Sequence, residues 1–138
     1  MIIAAIDYGK RRFGIAATDP SGIVAYPAGV IERRSLKRDL AALNARFREL
    51  EASRVIVGLP LNMDGTAGPA ARAAEQFAQH LRDATGLEVE LHDERLSTFE
   101  AAERLKTMSK HRRRRVMVDA VAAVVILESW LEAQRYPR

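Results

Sequence analysis

Cysteine is absent from the 138 residues. That excludes disulfides, thiolate zinc sites and cysteine nucleophiles, and it agrees with a reducing compartment. A secretory signal is missing as well: the segment from Met1 to Gly9 has no basic region and already carries Asp7. Long hydrophobic runs are lacking. The longest, Val116 to Leu127, is too short to span a bilayer and contains Asp119. A soluble, cytoplasmic protein with no membrane partner is expected. Internal repeats, linkers and low-complexity tracts are also missing, so residues 1–138 read as one domain. A hydrophobic content of 48% supports a buried core rather than disorder.

The net charge is only +4, but the basic residues are clustered. Lys10, Arg11 and Arg12 form one group, Arg33, Arg34, Lys37 and Arg38 a second, and the run from Lys110 to Arg115 a third. A single such run would read as a solvated loop. Three of them, two beside candidate acidic residues, point to a phosphate backbone as partner.

Ile2 to Ile6 is a continuous apolar run, as in a strand buried on both faces, and it ends at Asp7. Phe13 to Thr18 and Ile23 to Ile31 read as two further strands, with Pro27 marking the third as an edge. The three form an antiparallel meander. Leu36, Leu40, Leu43, Phe47 and Leu50 then recur at helical spacing. Arg54 to Gly58 is a strand, and Leu59 to Gly68 a loop. Pro69 and Gly86 bracket a helix, and Leu87 to Leu91 is the last strand. Ser97 and Glu100 look like a capping box for another helix, and a final helix runs from about Val116 to Arg135. The order β-β-β-α-β-α-β-α-α predicts an α/β fold: a mixed five-stranded sheet, three strands antiparallel and then parallel ones, with helices on both faces.

The acids stand out against this frame. Asp7 lies at the carboxyl end of the first strand and Asp93 and Glu94 at that of the last, the edge where open α/β sheets bind ligands. Asp93 and Glu94 point to opposite faces, and spacing does not choose between them. Asp119 interrupts an apolar helix, which fits either a metal ligand or a first-turn residue favoured by the helix dipole. Converging carboxylates repel unless a hard cation such as magnesium binds them. Two such ions about 4 Å apart can drive in-line phosphoryl displacement. In the loop, Asn62, Asp64, Gly65 and Thr66 suit either contact with a backbone or simple turning. The loop lacks the GK[ST] ending of a nucleotide P-loop.

Four segments, DYGKRRFGIAATD from Asp7, VGLPLNMDGTAGPAA from Val57, DERLSTFEA from Asp93 and VDAVAAVVILESWL from Val118, resemble the YqgF/RuvX family. The resemblance implies a ribonuclease H-like fold and a catalytic and metal-binding site of Asp7, Glu94 and Asp119, choosing Glu94 over Asp93. It implies a Mg2+- or Mn2+-dependent nuclease acting on Holliday junctions or other branched DNA, or on the precursor of 16S rRNA. Expected substrate-binding residues are Lys10, Arg11, Arg12, Asn62, Lys110, Arg113, Arg114 and Arg115, with a homodimer left open. Many related nucleases carry four acids, whereas three stand out here. His92, unusual before the DER segment, reads as a surface residue, or else as a group tuning nearby ionisation. Two rival functions remain. An actin-like phosphotransferase would require a second domain to close over ATP. A non-catalytic RNA-binding factor in ribosome assembly would need the basic clusters but not the acids.

Overall fold

A computed structural model describes residues 1–96 and 118–135, with residues 118 and 119 described by their backbone only. The helix expected from Ser97 and the basic run Lys110 to Arg115 lie outside the described residues.

Strands β1 (Ile2–Tyr8), β2 (Arg12–Thr18) and β3 (Ala25–Glu32) form the antiparallel meander. Helix α1 (Leu36–Leu50) leads to β4 (Ala52–Leu59), and α2 (Pro69–Thr85) leads to β5 (Glu88–Asp93). A 3-10 turn, Glu94–Leu96, follows, and α3 spans Val118–Arg135. The sheet order is β3-β2-β1-β4-β5, with β4 parallel to both β1 and β5. β1 is therefore central and β3 an edge. No helix among the described residues is long and apolar enough to cross a membrane.

Local chemistry sets the boundaries. Ser35 caps α1 by accepting from the Arg38 amide, and Glu51 ends it in a left-handed conformation. Pro69 opens α2, and Gly86, at φ 72°, closes it. β3 begins later than the apolar pattern suggests. Ile23 and Val24 stay 59% and 60% exposed because Asp19 accepts from both of their amides and holds them in the turn. Pro27, which has no amide to give a ladder, sits at a register shift of this edge strand.

Strand alternation divides the core in two. Ala4, Ile6, Phe13, Ile15, Val55 and Val57 face α1 and α2. Ile3, Ala5, Ala16 and Ile56 face α3, where they meet Ala123, Ile126, Leu127 and Trp130. α3 is apolar on most sides because it lies across the sheet, buried along most of its length.

Candidate active site

The rows of side chains facing α3 run out, at the carboxyl ends of three adjacent strands, in polar or absent side chains. On β1 the row Ile3, Ala5 continues to Asp7. On β4, Ile56 is followed by Gly58. On β5, Glu90 accepts a hydrogen bond from Trp130 of α3, and His92 bonds Ser129 of α3. Two residues further on stands Glu94, past the strand and in the 3-10 turn. It is Glu94, not Asp93, that reaches the cleft lined by Asp7.

Asp7 and Glu94 line one cleft of about 290 Å³, completed by Ala122, Val125 and Ile126 of α3. Burial pushes the Glu94 carboxyl above its ordinary value, and the negative charges of Asp7 and then Asp93 push it further the same way. Gly58 makes room for it. A Cβ on Gly58 would stand 2.5 Å from Glu94 Oε1 and 2.7 Å from Ile126 Cδ1, so the carboxyl lies against bare β4 backbone.

Asp93 is used differently. Arg95 grips it through Nε and Nη2, at 2.7 Å for the closest contact, and this hydrogen bond holds the Asp93 carboxyl below the usual range. Arg95 also donates to the Met63 carbonyl, tying the turn to the loop between β4 and α2. That loop is self-bonded. Asp64 accepts from the Thr66 amide and hydroxyl, and the Asn62 side chain donates to Thr66 Oγ1. Gly65 turns it at φ 88°.

Lys10 and Arg11 are exposed on the tight turn after Asp7, and Arg12, exposed too, opens β2. Gly9 is required there, since a Cβ would stand 2.5 Å from the Arg12 carbonyl oxygen. Arg33 does not stand among the free cations of its cluster. It lies over the Tyr8 ring at 4.6 Å and donates to the Gly9 and Lys10 carbonyls, bracing the turn.

His92 is not a surface residue. It is 7% exposed, on the face covered by α3, and its imidazole bonds Ser129 at 2.9 Å. Burial lowers its basicity. Its charge is among the lesser influences that lower Asp93, and not among those that shift Glu94. The residues that sequence reading missed are Gly58 and Ser129. A glycine closing an apolar strand is itself a signal of close approach, whereas the role of Ser129 depends on which strand α3 covers. Lys110, Arg113, Arg114 and Arg115 lie outside the described residues, and residue 119 is placed by backbone alone, one turn before Ala122. Among the described residues no three His, Cys, Asp or Glu side chains come together as a metal group.

A family model described as "RuvX: Holliday junction resolvase" matches residues 1–133. A protein of Anaeromyxobacter sp. (strain Fw109-5) is 48% identical over 130 residues, 94% of this chain and 95% of its own length. One of Myxococcus xanthus (strain DK1622) is 46% identical over 133 residues, 96% of this chain and 88% of its own. Both bear the name "Putative pre-16S rRNA nuclease". The solved structure of T. thermophilus RuvC in complex with a Holliday junction substrate is similar at a TM-score of 0.64 and 14% identity, over 99% of this chain and 96% of that one. At that identity the likeness is one of fold, which is ribonuclease H-like.

Proposed function

The chain belongs to the RuvX family, a family of nucleases, and on that premise we propose that it hydrolyses phosphodiester bonds with a Mg2+ or Mn2+ ion held by Asp7, Glu94 and Asp119. The observation that carries this reading is the shared cleft of Asp7 and Glu94, in which the Asp7 charge makes that of Glu94 harder to hold. Such a pair favours a cation that neutralises it. The donors are carboxylate oxygens, which suit a hard ion. Helical spacing puts position 119 on the stripe of Ala122 and Ile126, both of which line the cleft. When bound, the ion polarises the phosphate and lowers the pKa of a coordinated water.

The chain's own groups then have separate tasks. Asp7, Glu94 and Asp119 would hold the ion. Lys10, Arg11 and Arg12, on the turn beside Asp7, bind the backbone of the substrate, as do Asn62, Lys110 and Arg113 to Arg115. The name shared by the relatives at 48% and 46% identity favours the precursor of 16S rRNA as substrate. The description of the family favours Holliday junctions as the second reading.

The test is incubation with branched DNA, single strands and precursor RNA, with Mg2+, Mn2+, Zn2+ or excess chelator. Cleavage is expected with Mg2+ and Mn2+, little with Zn2+, and none under chelation. Full activity in chelator would remove the ion from the mechanism. Binding without cleavage of any substrate would favour a non-catalytic RNA-binding factor.

A second expectation separates binding from chemistry. Replacing Arg113, Arg114 and Arg115 together by Ala should weaken binding and lower the salt slope by about 1 for each phosphate that is no longer neutralised. Cleavage of saturating substrate should persist. An unchanged affinity and salt slope, measured by titration at several salt concentrations, would make the run a solvated loop.

A further inference from the structure

We infer that His92 and Ser129 are positioning residues for Glu94: a hydrogen-bond chain through these two buried side chains fixes the turn that carries its carboxyl. The inference rests on the reading of Glu94 as an ion-holding acid. The chain runs from β5 to α3 and back to the 3-10 turn. Ser129 Oγ lies 2.8 Å from the Leu96 carbonyl oxygen and 2.9 Å from His92 Nε2. A carbonyl can only accept, so the hydroxyl proton goes to Leu96. His92 Nε2 must then donate to the lone pair left on Ser129. One orientation of three groups satisfies the whole chain.

Its placement gives it its effect. His92 lies two residues before Glu94, and Leu96 two residues after it. Both ends of the short segment are therefore tied to Ser129. Ser129 is 2% exposed and sits one turn beyond Ile126, which forms the wall of the cleft. The turn is thereby registered to the same helix that lines the site. Glu94 needs such a restraint, because the Asp7 charge and its own burial both favour swinging the carboxyl out to water. The Asp93–Arg95 fork ties the same turn to the loop on its other side, and its arginine is exposed. In the His92–Ser129–Leu96 chain the His92 and Ser129 side chains are both buried, where an unpaired donor or acceptor is costly.

The experiment uses the full-length protein and Mn2+ alone as probe, its binding followed by the electron paramagnetic resonance of the free ion. His92→Leu, His92→Gln, Ser129→Ala and Glu94→Gln are compared with the wild type. His92→Leu and Ser129→Ala should bind Mn2+ about tenfold more weakly or worse. On precursor RNA both should lower kcat with little change in KM, since the basic clusters that bind the backbone are untouched. His92→Gln, whose amide can donate from near the position of Nε2, should stay close to wild type. If His92→Leu does not fold, Ser129→Ala, which removes a single oxygen, decides. Wild-type Mn2+ binding by Ser129→Ala, or a His92→Gln as weak as His92→Leu, overturns the positioning role while Glu94→Gln still loses the ion. If Glu94→Gln binds Mn2+ as the wild type does, the acidic site itself is misread and the positioning role falls with it.

Discussion

An Asp7→Asn protein is expected to lose about a hundredfold or more of its cleavage rate, while its ion-free form melts at the wild-type temperature or a few degrees above it. The rate follows from the chemistry. Ion-assisted polarisation contributes several kcal/mol, and each 1.36 kcal/mol is a factor of about ten. The stability follows from Glu94. Its carboxyl is raised above its ordinary value of 4.5 by burial first and by the Asp7 charge second. A group raised on folding stabilises the native state while it is protonated. That contribution is present below the unfolded value and lost as pH rises through the folded one. The ion-free wild type should therefore lose stability between acid and neutral pH. Asn at position 7 removes one cause of the shift, so less is lost. Mg2+ should raise the wild-type melting temperature at neutral pH by mass action and that of the variant far less. Melting curves with and without Mg2+ at acid and neutral pH, paired with single-turnover cleavage, provide the check. A variant that cuts at the wild-type rate removes Asp7 from the site, and one that fails to fold makes Asp7 a structural turn residue.

Much of the frame was legible because it depends on local chemistry. Pro27 marks an edge strand, Pro69 and Gly86 bracket α2, and the apolar run before Asp7 makes β1 central. The choice between Asp93 and Glu94 came from the family resemblance alone and not from spacing, because it turns on how the segment after β5 is set against α3. That is a long-range fact. Once Trp130 and Ser129 of α3 hold Glu90 and His92, the turn that follows brings Glu94 to the cleft lined by Asp7. His92 was misjudged for the same reason: a polar residue on an edge strand reads as exposed until a helix covers it. Arg33 counted as a surface cation in its cluster, and only the stacking of Tyr8 beneath it reveals a structural task. The loop after β4 offered Asn, Asp, Gly and Thr to a substrate, yet Asp64, Thr66 and Asn62 first bond one another.

Gly58→Ala is the change expected to separate geometry from folding most cleanly. The glycine sits in a strand at an ordinary backbone conformation, since it is not among the positive-φ residues. An alanine there has no intrinsic backbone penalty. Its methyl, however, would stand 2.5 Å from Glu94 Oε1 and 2.7 Å from Ile126 Cδ1. Both neighbours are the ends of side chains, so they can yield where backbone could not. Glu94 is half-buried at a cleft mouth and yields toward water, whereas Ile126 is packed in the core beneath α3. The carboxyl should therefore move by about 1 Å or more, a misplacement that can cost a hundredfold in rate. The fold should lose no more than about 1–3 kcal/mol, the usual range for a mild overpacking. Mn2+ affinity should fall with the rate, and binding of precursor RNA through the basic clusters should not. Denaturant melts, Mn2+ titration and single-turnover cleavage on one preparation test all three. A variant that folds, binds Mn2+ as tightly as the wild type and cuts at its rate would show that Glu94 does not need the bare backbone beneath it, and the cradle would then be incidental to the site.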